Sequence, residues 1–441
     1  MIEGIHPMLR TLVRTLALVL ATVGLLLPIG SVSTASAAPD NFTPKTGATF
    51  NSPLGGSSER REIFRKVMRS INSSPKGSNI NIFTWNFLTS EGKDALLRAQ
   101  KRGVRVRLLM DDLNVKSVDN PPFRALRAGL QRGNKKVPAK RQSFARVCDK
   151  TCRGGGGAAH SKFYMFSRSG KARNVVIQGS ANFTLASTNN QWNDIYTHVG
   201  NQKVYDWAGR IFQQAVRDKR AKKPYADRNF GNFRLMMFPN TGKNVPDPVM
   251  QTLNRVKCKG ATNTASNRTR IRIFPDVMRN PRGNALARKV KSLWNNGCDI
   301  RIGYTVMGID TGKILRSGGG RGPVPMRHMV QDTNGDGQFD NYFHMKSMSI
   351  VGNYGGDRSG YALLNGSANW SGLAKVSDEN LGLYRSKATT QRYQEHMNYW
   401  YDRFSGRARL VFGAGRDAVY EDGTQVSPGG AVDPFARVAT D

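Results

Sequence analysis

The sequence predicts an α/β fold made of two similar halves, each a mixed β-sheet sandwiched by helices, with a pseudo-two-fold axis between them. Amphipathic helices alternate with short apolar strands through most of the chain, which is typical of sheets that are covered by helices. The tetrapeptide Gly-Ser-Ala-Asn also occurs twice, starting at Gly179 and at Gly366, and the same order of elements precedes each copy.

The first residues are predicted to direct export rather than to join the fold. Arg10 and Arg14 precede the apolar run 16–29, and small residues follow as far as Ala37. This pattern is typical of a secretory signal peptide over residues 1–37, and an uncleaved anchor of the same hydrophobicity is the alternative. No later stretch has the roughly 20 apolar residues that a membrane span needs, so we expect a secreted, extracellular protein.

The elements of the two halves can be matched in order. A polar linker at 38–58 leads into the N-terminal half at 59–235, where an amphipathic helix is followed by the strand NINIFTW, the helix DALLRAQKRG and the strand VRVRLLM. The C-terminal half at 236–412 repeats this order with a helix, the strand TRIRIF, the helix NALARKVKSLW and the strand CDIRIGYTV. Each half then has a strand with His-x-Lys, a strand ending in Gly-Ser-Ala-Asn, an acidic strand start and a closing helix. Residues 413–441 are predicted to form a tail.

The four cysteines are even in number, which fits disulfide bonds in an oxidising compartment. Three pairings are possible, and proximity within each half favours Cys148 with Cys152 and Cys258 with Cys298. A zinc site is the competing interpretation, although the Cys-x-x-Cys pairs that are typical of such sites are absent.

The charge balance predicts an anionic partner. The chain has 67 Lys and Arg against 31 Asp and Glu, a formal net charge of +36. Such a surface attracts nucleic acid, anionic lipid head groups or acidic wall polymers. An irregular stretch at 124–153 has ten basic residues and one acidic residue, and glycines fill 154–157. It is either a solvated loop or a clamp for a polyanion, and its glycines allow close approach or movement of the backbone.

Side chains suited to phosphoryl chemistry occur in two matching sets. The first set is His160, Lys162, Ser180 and Asn182, and the second is His344, Lys346, Ser367 and Asn369. Each set is followed by an acidic residue at a strand start, Asp194 in NDIYTHV and Glu379 in ENLGLY. One His-x-Lys is uninformative, but two inside a repeat indicate a shared site. The sequence resembles the phospholipase D superfamily, whose members have two H-x-K-x4-D motifs, each followed by G-S-x-N.

The resemblance implies a phosphodiesterase that needs no cofactor. His160 would attack phosphorus to give a phosphohistidine, and His344 would protonate the leaving alcohol and then activate water or an acceptor alcohol; the reverse assignment is the alternative. Asp194 and Glu379 would each hold an imidazole, and the lysines, serines and asparagines of the two sets would hold the phosphoryl oxygens. Because both half-sites lie in one chain, a monomer is expected.

The sequence departs from the family motif at its aspartates, where it has Ser167 and Val351. A catalytically decayed polyanion-binding protein is therefore one alternative. Among enzymes, the duplicated layout and export favour cleavage or transfer of a glycerophospholipid head group at a membrane interface. Trp192 and Trp370 would be exposed at that interface, and packing in the core is the alternative for either of them. A metal-independent secreted nuclease is the other alternative, and the net charge favours it.

An acidic loop before His344 resembles the front of a calcium-binding loop. Its oxygen-bearing side chains are Asp332, Asn334, Asp336, Gln338 and Asp340. Gly337 fits the sixth position, but Phe343 stands where a bidentate Glu is usual. We expect either a structural calcium site or an Asx-rich turn, and no step of the implied chemistry needs the metal.

Overall fold

The computed structural model describes residues 41–242, 244–404, 410–412, 418–420, 435, 437 and 438. The predicted signal peptide lies outside these residues. Within them, no helix is both long enough and apolar enough to cross a bilayer.

The N-terminal half begins at a short strand and ends with a long helix. Its strands are β1 (Gly47–Phe50), β2 (Asn79–Phe83), β3 (Phe87–Leu88), β4 (Arg105–Asp111), β5 (Phe144–Cys148), β6 (Phe163–Ser169), β7 (Ala172–Gly179), β8 (Phe183–Thr184), β9 (Gln191–Trp192) and β10 (Asp194–His198). Its helices are α1 (Ser57–Arg60), α2 (Glu62–Asn72), α3 (Ser90–Lys101), α4 (Leu113–Lys116), α5 (Pro121–Gly133), α6 (Ala186–Asn189) and α7 (Gln202–Val216), with a 3-10 turn at Ala139–Arg141.

Local sequence explains where the longer helices begin. The side chains of Thr89, Asn120 and Asn201 accept backbone N–H groups from the first turns of α3, α5 and α7. Such caps satisfy donors that have no partner inside the helix. The basic stretch that we expected to be irregular is largely regular, because α5 and β5 fall within it; α5 buries Leu126 and Leu130 under the sheet.

The N-terminal sheet is mixed and covered on both faces, as predicted. Its strand order is β1-β10-β7-β6-β2-β4-β5, with β2, β4 and β5 parallel and the other pairs antiparallel. Buried side chains of α2, α3 and α5 share a core with one face of the sheet. Buried side chains of α7 share a second core with the other face.

The C-terminal half repeats most of these elements. Its strands are β11 (Ala226–Asn229), β12 (Phe233–Met237), β13 (Arg270–Phe274), β14 (Val277–Met278), β15 (Asp299–Tyr304), β16 (Val306–Met307), β17 (Met326–His328), β18 (Val330–Gln331), β19 (Asn341–Phe343), β20 (Ser347–Tyr354), β21 (Asp357–Gly366), β22 (Asn380–Tyr384), β23 (Leu410–Phe412) and β24 (Ala418–Tyr420). Its helices are α8 (Pro248–Asn254), α9 (Asn280–Asn295), α10 (Ile309–Arg316), α11 (Gly372–Val376) and α12 (Lys387–Arg403).

The two large sheets share one strand order. The second runs β11-β12-β22-β21-β20-β13-β15-β17, so that β12 corresponds to β1, β22 to β10 and β13 to β2. The pseudo-two-fold axis remains a prediction. Two proposed boundaries differ from the elements: β1 lies in the predicted linker, and the division after residue 235 falls inside β12. The predicted tail includes β24, which pairs with β23.

The two halves are joined by a common core and by backbone hydrogen bonds. One apolar cluster contains side chains of α7 and α12 together with Phe163 and Phe274, which come from the two sheets. Strand β19 also pairs in parallel with β9, so that Phe343 lies opposite Trp192. The histidine-bearing segments lie close to these contacts.

The cysteine pairing is confirmed, and the tryptophans adopt the core alternative rather than the exposed one. Cys148 is bonded to Cys152 and Cys258 to Cys298, with Cα separations of 5.0 and 4.5 Å. Because these sulfurs are in disulfide bonds, they offer no thiolates to zinc. Trp192 and Trp370 are only 0% and 2% exposed. Trp192 stacks on Phe343 with 4.7 Å between ring centroids, so both tryptophans pack in the interior rather than facing a membrane.

Candidate active site

The two motif histidines lie just before equivalent strands, β6 and β20. His160 and His344 are 1% and 0% exposed. The backbone N–H of His160 donates to the carbonyl oxygen of Asp378 at 3.0 Å, and that of His344 donates to the carbonyl oxygen of Trp192 at 3.0 Å. Each histidine is thus fixed by the backbone of the other half.

Each imidazole is also oriented by a side chain from the other half. Nδ1 of His160 lies 2.8 Å from Oε1 of Glu379, and Nδ1 of His344 lies 2.8 Å from Oδ1 of Asn193. An amide or carboxylate oxygen can only accept, so Nδ1 carries the proton in both rings. This tautomer assigns the reactive lone pair to Nε2.

The partner of His344 corrects the prediction for Asp194. Gly179 pairs with Ile195 as Gly366 pairs with Leu381, so the residue equivalent to Glu379 is Asn193 rather than Asp194. Asn193 was missed in the sequence because Asp194 was matched with Glu379, acid with acid. In the structure, Asn193 corresponds to Glu379, and Asp194 corresponds to Asn380.

Asp194 belongs to a buried network behind the site. Its Oδ2 accepts hydrogen bonds from Asn365 Nδ2 at 2.8 Å and from the Tyr393 hydroxyl at 2.7 Å. Burial raises the pKa of this carboxyl group, against the opposing effect of these donors. Asp194 therefore links the two halves without contacting either imidazole through these bonds.

The motif serines hold the orienting side chains. The Ser180 hydroxyl donates to Asn193 Oδ1 at 3.0 Å, and the Ser367 hydroxyl donates to Glu379 Oε2. We expected these hydroxyls to bind phosphoryl oxygens. Instead, each hydroxyl donates its hydrogen bond to the side chain that orients a histidine. Ser180 and Ser367 are thus positioning residues in this geometry.

The two lysines differ in their surroundings. Lys162 Nζ donates to the His160 carbonyl oxygen at 2.7 Å and lies 5.9 Å from the centroid of the Trp85 ring. Lys346 Nζ donates to the His344 carbonyl oxygen at 2.9 Å and forms an ion pair with Asp276 Oδ2 at 2.7 Å. Both members of that ion pair are fully buried. The first half-site thus has a carboxylate behind its imidazole, and the second has a buried carboxylate on the lysine beside its histidine.

The motif asparagines are anchored through their carbonyl oxygens. Oδ1 of Asn182 accepts from the N–H of Asn86, and Oδ1 of Asn369 accepts from the N–H of Val277, each at 3.4 Å. The amide NH2 groups are the part of these side chains that can donate to a phosphoryl oxygen. Their contact with substrate remains a prediction.

The glycine-rich segment packs against the residues that precede Glu379. The N–H of Ala158 donates to the Ser377 hydroxyl at 3.0 Å, and that of Cys152 donates to Asp378 Oδ2 at 2.6 Å. Complete burial raises the pKa of Asp378 to about 7. The segment therefore supports the loop that presents the partner of His160.

The acidic loop does not fit calcium as the structure stands. Both carboxylate oxygens of Asp332 accept backbone N–H groups from the loop's glycines, at 2.8 and 2.9 Å. Arg437 donates to Asp336 Oδ2 and to Asp340 Oδ1, each at 2.6 Å. A guanidinium therefore satisfies the charges that a cation would need. Among the described residues, no group of three or more His, Cys, Asp or Glu at metal-binding distances occurs in this loop.

Part of the chain matches a known family, and its fold is similar to those of solved structures. Residues 67–216 match the family model described as a cardiolipin synthase, PLD-like domain. The fold is similar to that of phosphatidylserine synthase from Haemophilus influenzae Rd KW20, with a TM-score of 0.54 and 13% identity, over 84% of this chain and 90% of that chain. It is also similar to polyphosphate kinase from Porphyromonas gingivalis, with a TM-score of 0.51 and 11% identity over 81% of this chain; the chain spans half the length of that kinase.

A smaller relative covers only part of the chain. Nuc from Salmonella typhimurium, a phospholipase D family member, aligns over 40% of this chain and 100% of its own length, with 17% identity and a TM-score of 0.28. No curated protein sequence matches the chain. The family model thus identifies residues 67–216 as a PLD-like domain, and the similarity to phosphatidylserine synthase extends over the fold of most of the chain.

Proposed function

We propose that the protein is an active phosphodiesterase in which His160 is the nucleophile and His344 the acid. The observation that carries this assignment is the difference between their partners, Glu379 for His160 and Asn193 for His344. A carboxylate stabilises a positively charged imidazole, whereas an amide orients the ring without offsetting its charge.

The first step transfers the phosphoryl group to His160 and breaks its bond to the leaving alcohol. Nε2 of His160 attacks phosphorus, an N–P bond forms and the P–O bond to the leaving alcohol breaks, while His344 in its imidazolium form donates its Nε2 proton to that oxygen. The phosphorylated ring retains its Nδ1 proton and is cationic, so Glu379 stabilises it. Asn193 orients His344 through its amide oxygen and adds no negative charge behind that ring.

The second step restores the site. Neutral His344 takes a proton from water or an acceptor alcohol, whose oxygen attacks phosphorus as the N–P bond breaks. His160 recovers its lone pair, and the product is a phosphomonoester or a transferred phosphodiester. Lys162 and Lys346 would contribute positive charge around the phosphoryl oxygens.

The missing motif aspartates do not weaken this proposal. Ser167 lies within β6, where its hydroxyl accepts the N–H of Asn79 at 2.8 Å. Val351 lies within β20, opposite Arg270 of β13. Both positions lie five residues after their lysine, and the imidazoles are oriented by other residues, Glu379 and Asn193. These placements favour an enzyme over a decayed binding protein.

For the substrate, we propose the head-group phosphodiester of a glycerophospholipid, which is hydrolysed or transferred by a secreted enzyme. The similarity to phosphatidylserine synthase over most of both chains supports this substrate class. The two disulfide bonds support export. A nuclease is the second candidate, favoured by the net charge of +36, which suits a substrate with many phosphates.

The test offers purified protein both substrate classes with EDTA present. We expect head-group release from phosphatidylcholine or phosphatidylethanolamine vesicles, and a loss of at least about 1000-fold in kcat for His160→Ala and for His344→Ala with unchanged folding. Cleavage of single- or double-stranded DNA with intact lipid would establish the nuclease instead. Absence of turnover on both, with no acid-labile phosphohistidine trapped in the wild type, would leave only the binding protein.

A further inference from the structure

A positively charged cavity lies at the opposite end of the N-terminal sheet from the histidines. It has a volume of about 620 Å³ and is formed by the first residues of β2 and β4 and by one side of α7. The charged side chains that line it are Arg105, Arg107, Arg210, Arg217 and Asp206. Asn79 and Asn81 of β2 line it, whereas Trp85 of the active site follows the end of that strand. The rise along a strand puts Asn81 and Trp85 roughly 13 Å apart.

Arg107 is the buried centre of this cavity. It is 6% exposed, and its Nε donates to Asn81 Oδ1 at 2.8 Å. With its amide oxygen facing the guanidinium, Gln213 accepts from both Nη atoms of Arg107, at 2.7 and 3.0 Å. The guanidinium carbon also lies 5.1 Å from the centroid of the Phe212 ring. All of these partners are neutral, so the hydrogen bonds are satisfied while the charge is not.

Burial weakens the affinity of the Arg107 guanidinium for its proton. Burial and the neighbouring cation Arg105 lower the pKa of Arg107 to about 10. Arg105 is itself half-buried, and burial lowers its pKa too. Asp206, the acid of the cavity lining, accepts a hydrogen bond from Gln202 at 2.7 Å. Within the part of the chain that the structure describes, no carboxylate forms an ion pair with Arg107.

The C-terminal half shows how the same place is neutralised by carboxylates. Arg301 of β15 corresponds to Arg107, because each lies opposite the third residue of the neighbouring parallel strand. Arg301 pairs with Asp402 at 3.0 Å, and Arg272 on that neighbouring strand pairs with Asp299 at 3.2 Å.

The position of Asp299 shows how the two halves differ in charge at this place. Asp299 lies opposite the first residue of β13, and the corresponding residue opposite the first residue of β2 is Arg105. An acid in one half is thus a cation in the other. The N-terminal cavity therefore has positive charge at the place where its counterpart has internal ion pairs.

We propose that this cavity is a binding site for a phosphate group, distinct from the catalytic site. Arg107 supplies a fixed guanidinium at the base, and Arg105 with the exposed Arg210 and Arg217 supplies donors at the rim. Planar guanidinium groups match phosphate oxygens in pairs, and several of them suit a doubly charged anion. The phosphate is either free or part of a polyanion, and its binding needs no activity at the histidines.

The test isolates the cavity from the catalytic site. Inorganic phosphate is titrated into the His160→Ala full-length mature protein at constant ionic strength, with chloride as the control anion and calorimetry as the readout. We expect saturable binding, weakened at least tenfold by Arg107→Gln and by the rim variant Arg210→Gln/Arg217→Gln. The matched control Arg301→Gln in the other half should bind as the His160→Ala parent does.

Each outcome decides the proposal. The rim variant changes exposed residues and keeps the test valid if Arg107→Gln does not fold. Phosphate affinity that is unchanged in the folded variants, or binding no stronger than that of chloride, overturns the site. If the site holds, the same variants are tested with a short single-stranded oligonucleotide and with phosphatidylglycerol vesicles. Weaker binding of one identifies the source of the phosphate as nucleic acid or lipid, and no change in either identifies a free anion.

Discussion

At the residue scale, the two histidines are made unequal by single side chains in the other half. Glu379 and Asn193 occupy equivalent positions and receive hydrogen bonds from equivalent serines, yet one has a carboxyl group and the other an amide. In the proposed mechanism, a carboxylate behind the ring would favour the histidine that is phosphorylated, and an amide would favour the one that releases a proton. The division of labour in the site thus follows from which side chain orients each imidazole.

Replacing Glu379 with Gln tests this division. The substitution keeps the size of the side chain but removes its charge, so we expect kcat on a simple phosphodiester to fall by about 100- to 10,000-fold, as when a carboxylate behind a catalytic histidine is neutralised. Asp194→Asn is the control, because Asn365 and Tyr393 can still donate to an amide oxygen at residue 194. Its kcat should stay within about tenfold of wild type. Equal losses in both variants would restore Asp194 as an orienting acid.

The buried carboxyl group of Asp378 makes stability depend on pH. Its pKa is about 7 in the folded protein and 3.8 in the reference state, so the folded chain binds the proton more tightly. Stability from this group is therefore present at low pH and lost as pH rises towards 7, by up to about 4 kcal/mol at about 1.4 kcal/mol per tenfold change in proton affinity. Asp378→Asn removes this dependence, so the Tm difference between variant and wild type should grow from pH 5 to pH 8. A constant difference would mean that Asp378 is ionised throughout.

The sequence alone could predict the residues that are spelled out in the repeated motifs, but not all of their partners. His160, His344, Lys162 and Lys346 follow from spacing, and the structure brings each lysine to the carbonyl oxygen of its own histidine. Asn193 could not be found by a search for acids, because its role depends on the pairing register of β7 with β10. The ion pair of Lys346 with a residue 70 positions away depends likewise on tertiary structure.

At the element scale, a tight backbone contact between the halves supports Glu379. Gly157 has a φ of +82°, and a Cβ atom there would lie 2.8 Å from the backbone nitrogen of Ser377. Two residues after Gly157, Ala159 forms a parallel β-bridge with Asp378, which directly precedes Glu379. The glycine at 157 therefore lets two backbone segments meet directly beside His160 and Glu379.

Gly157→Ala should disturb that contact, whereas its neighbour Gly156→Ala should not. At residue 157 an alanine faces both an unfavourable φ and a backbone clash, so we expect a loss of at least ~2 kcal/mol and a lower kcat as the 376–378 segment shifts. At Gly156 a Cβ atom meets nothing within 4 Å, which makes it a matched control in the same loop. Thermal unfolding and kcat are measured for both. Matching behaviour of the two variants would show that the contact is not required.

The helices and central strands could be predicted from periodicity, whereas the edges of the sheets could not. The apolar faces of α2 and α3 and the buried strands β2 and β4 carry clear patterns. By contrast, β1 and β11 are four residues long and contain little apolar sequence, so their conformation is set by pairing with β10 and β12. Buried Trp192 shows the same limit, because the sequence does not say that Phe343 and Trp400 of the other half cover it.

At the scale of the whole molecule, some buried cations are neutralised by ion pairs while the surface is strongly charged. Lys346 is paired with Asp276, and the buried Arg272 is paired with Asp299. Most of the excess of 67 basic over 31 acidic residues must therefore act on the surroundings. A field of this sign concentrates anionic substrate near the protein without contacting the reacting phosphorus.

This separation predicts how salt acts on the enzyme. Raising NaCl from about 50 to about 500 mM shortens the Debye length to less than half, so attraction to phosphatidylglycerol-rich vesicles weakens. The apparent KM for head-group release should rise at least tenfold while kcat changes less than about threefold, because buried groups that stabilise the transition state are little screened. Phosphatidylcholine vesicles, which carry no net charge, are the control and should show little change in KM. A fall in kcat at constant KM would mean instead that salt acts on the step after substrate binding, and that the surface charge does not recruit the substrate.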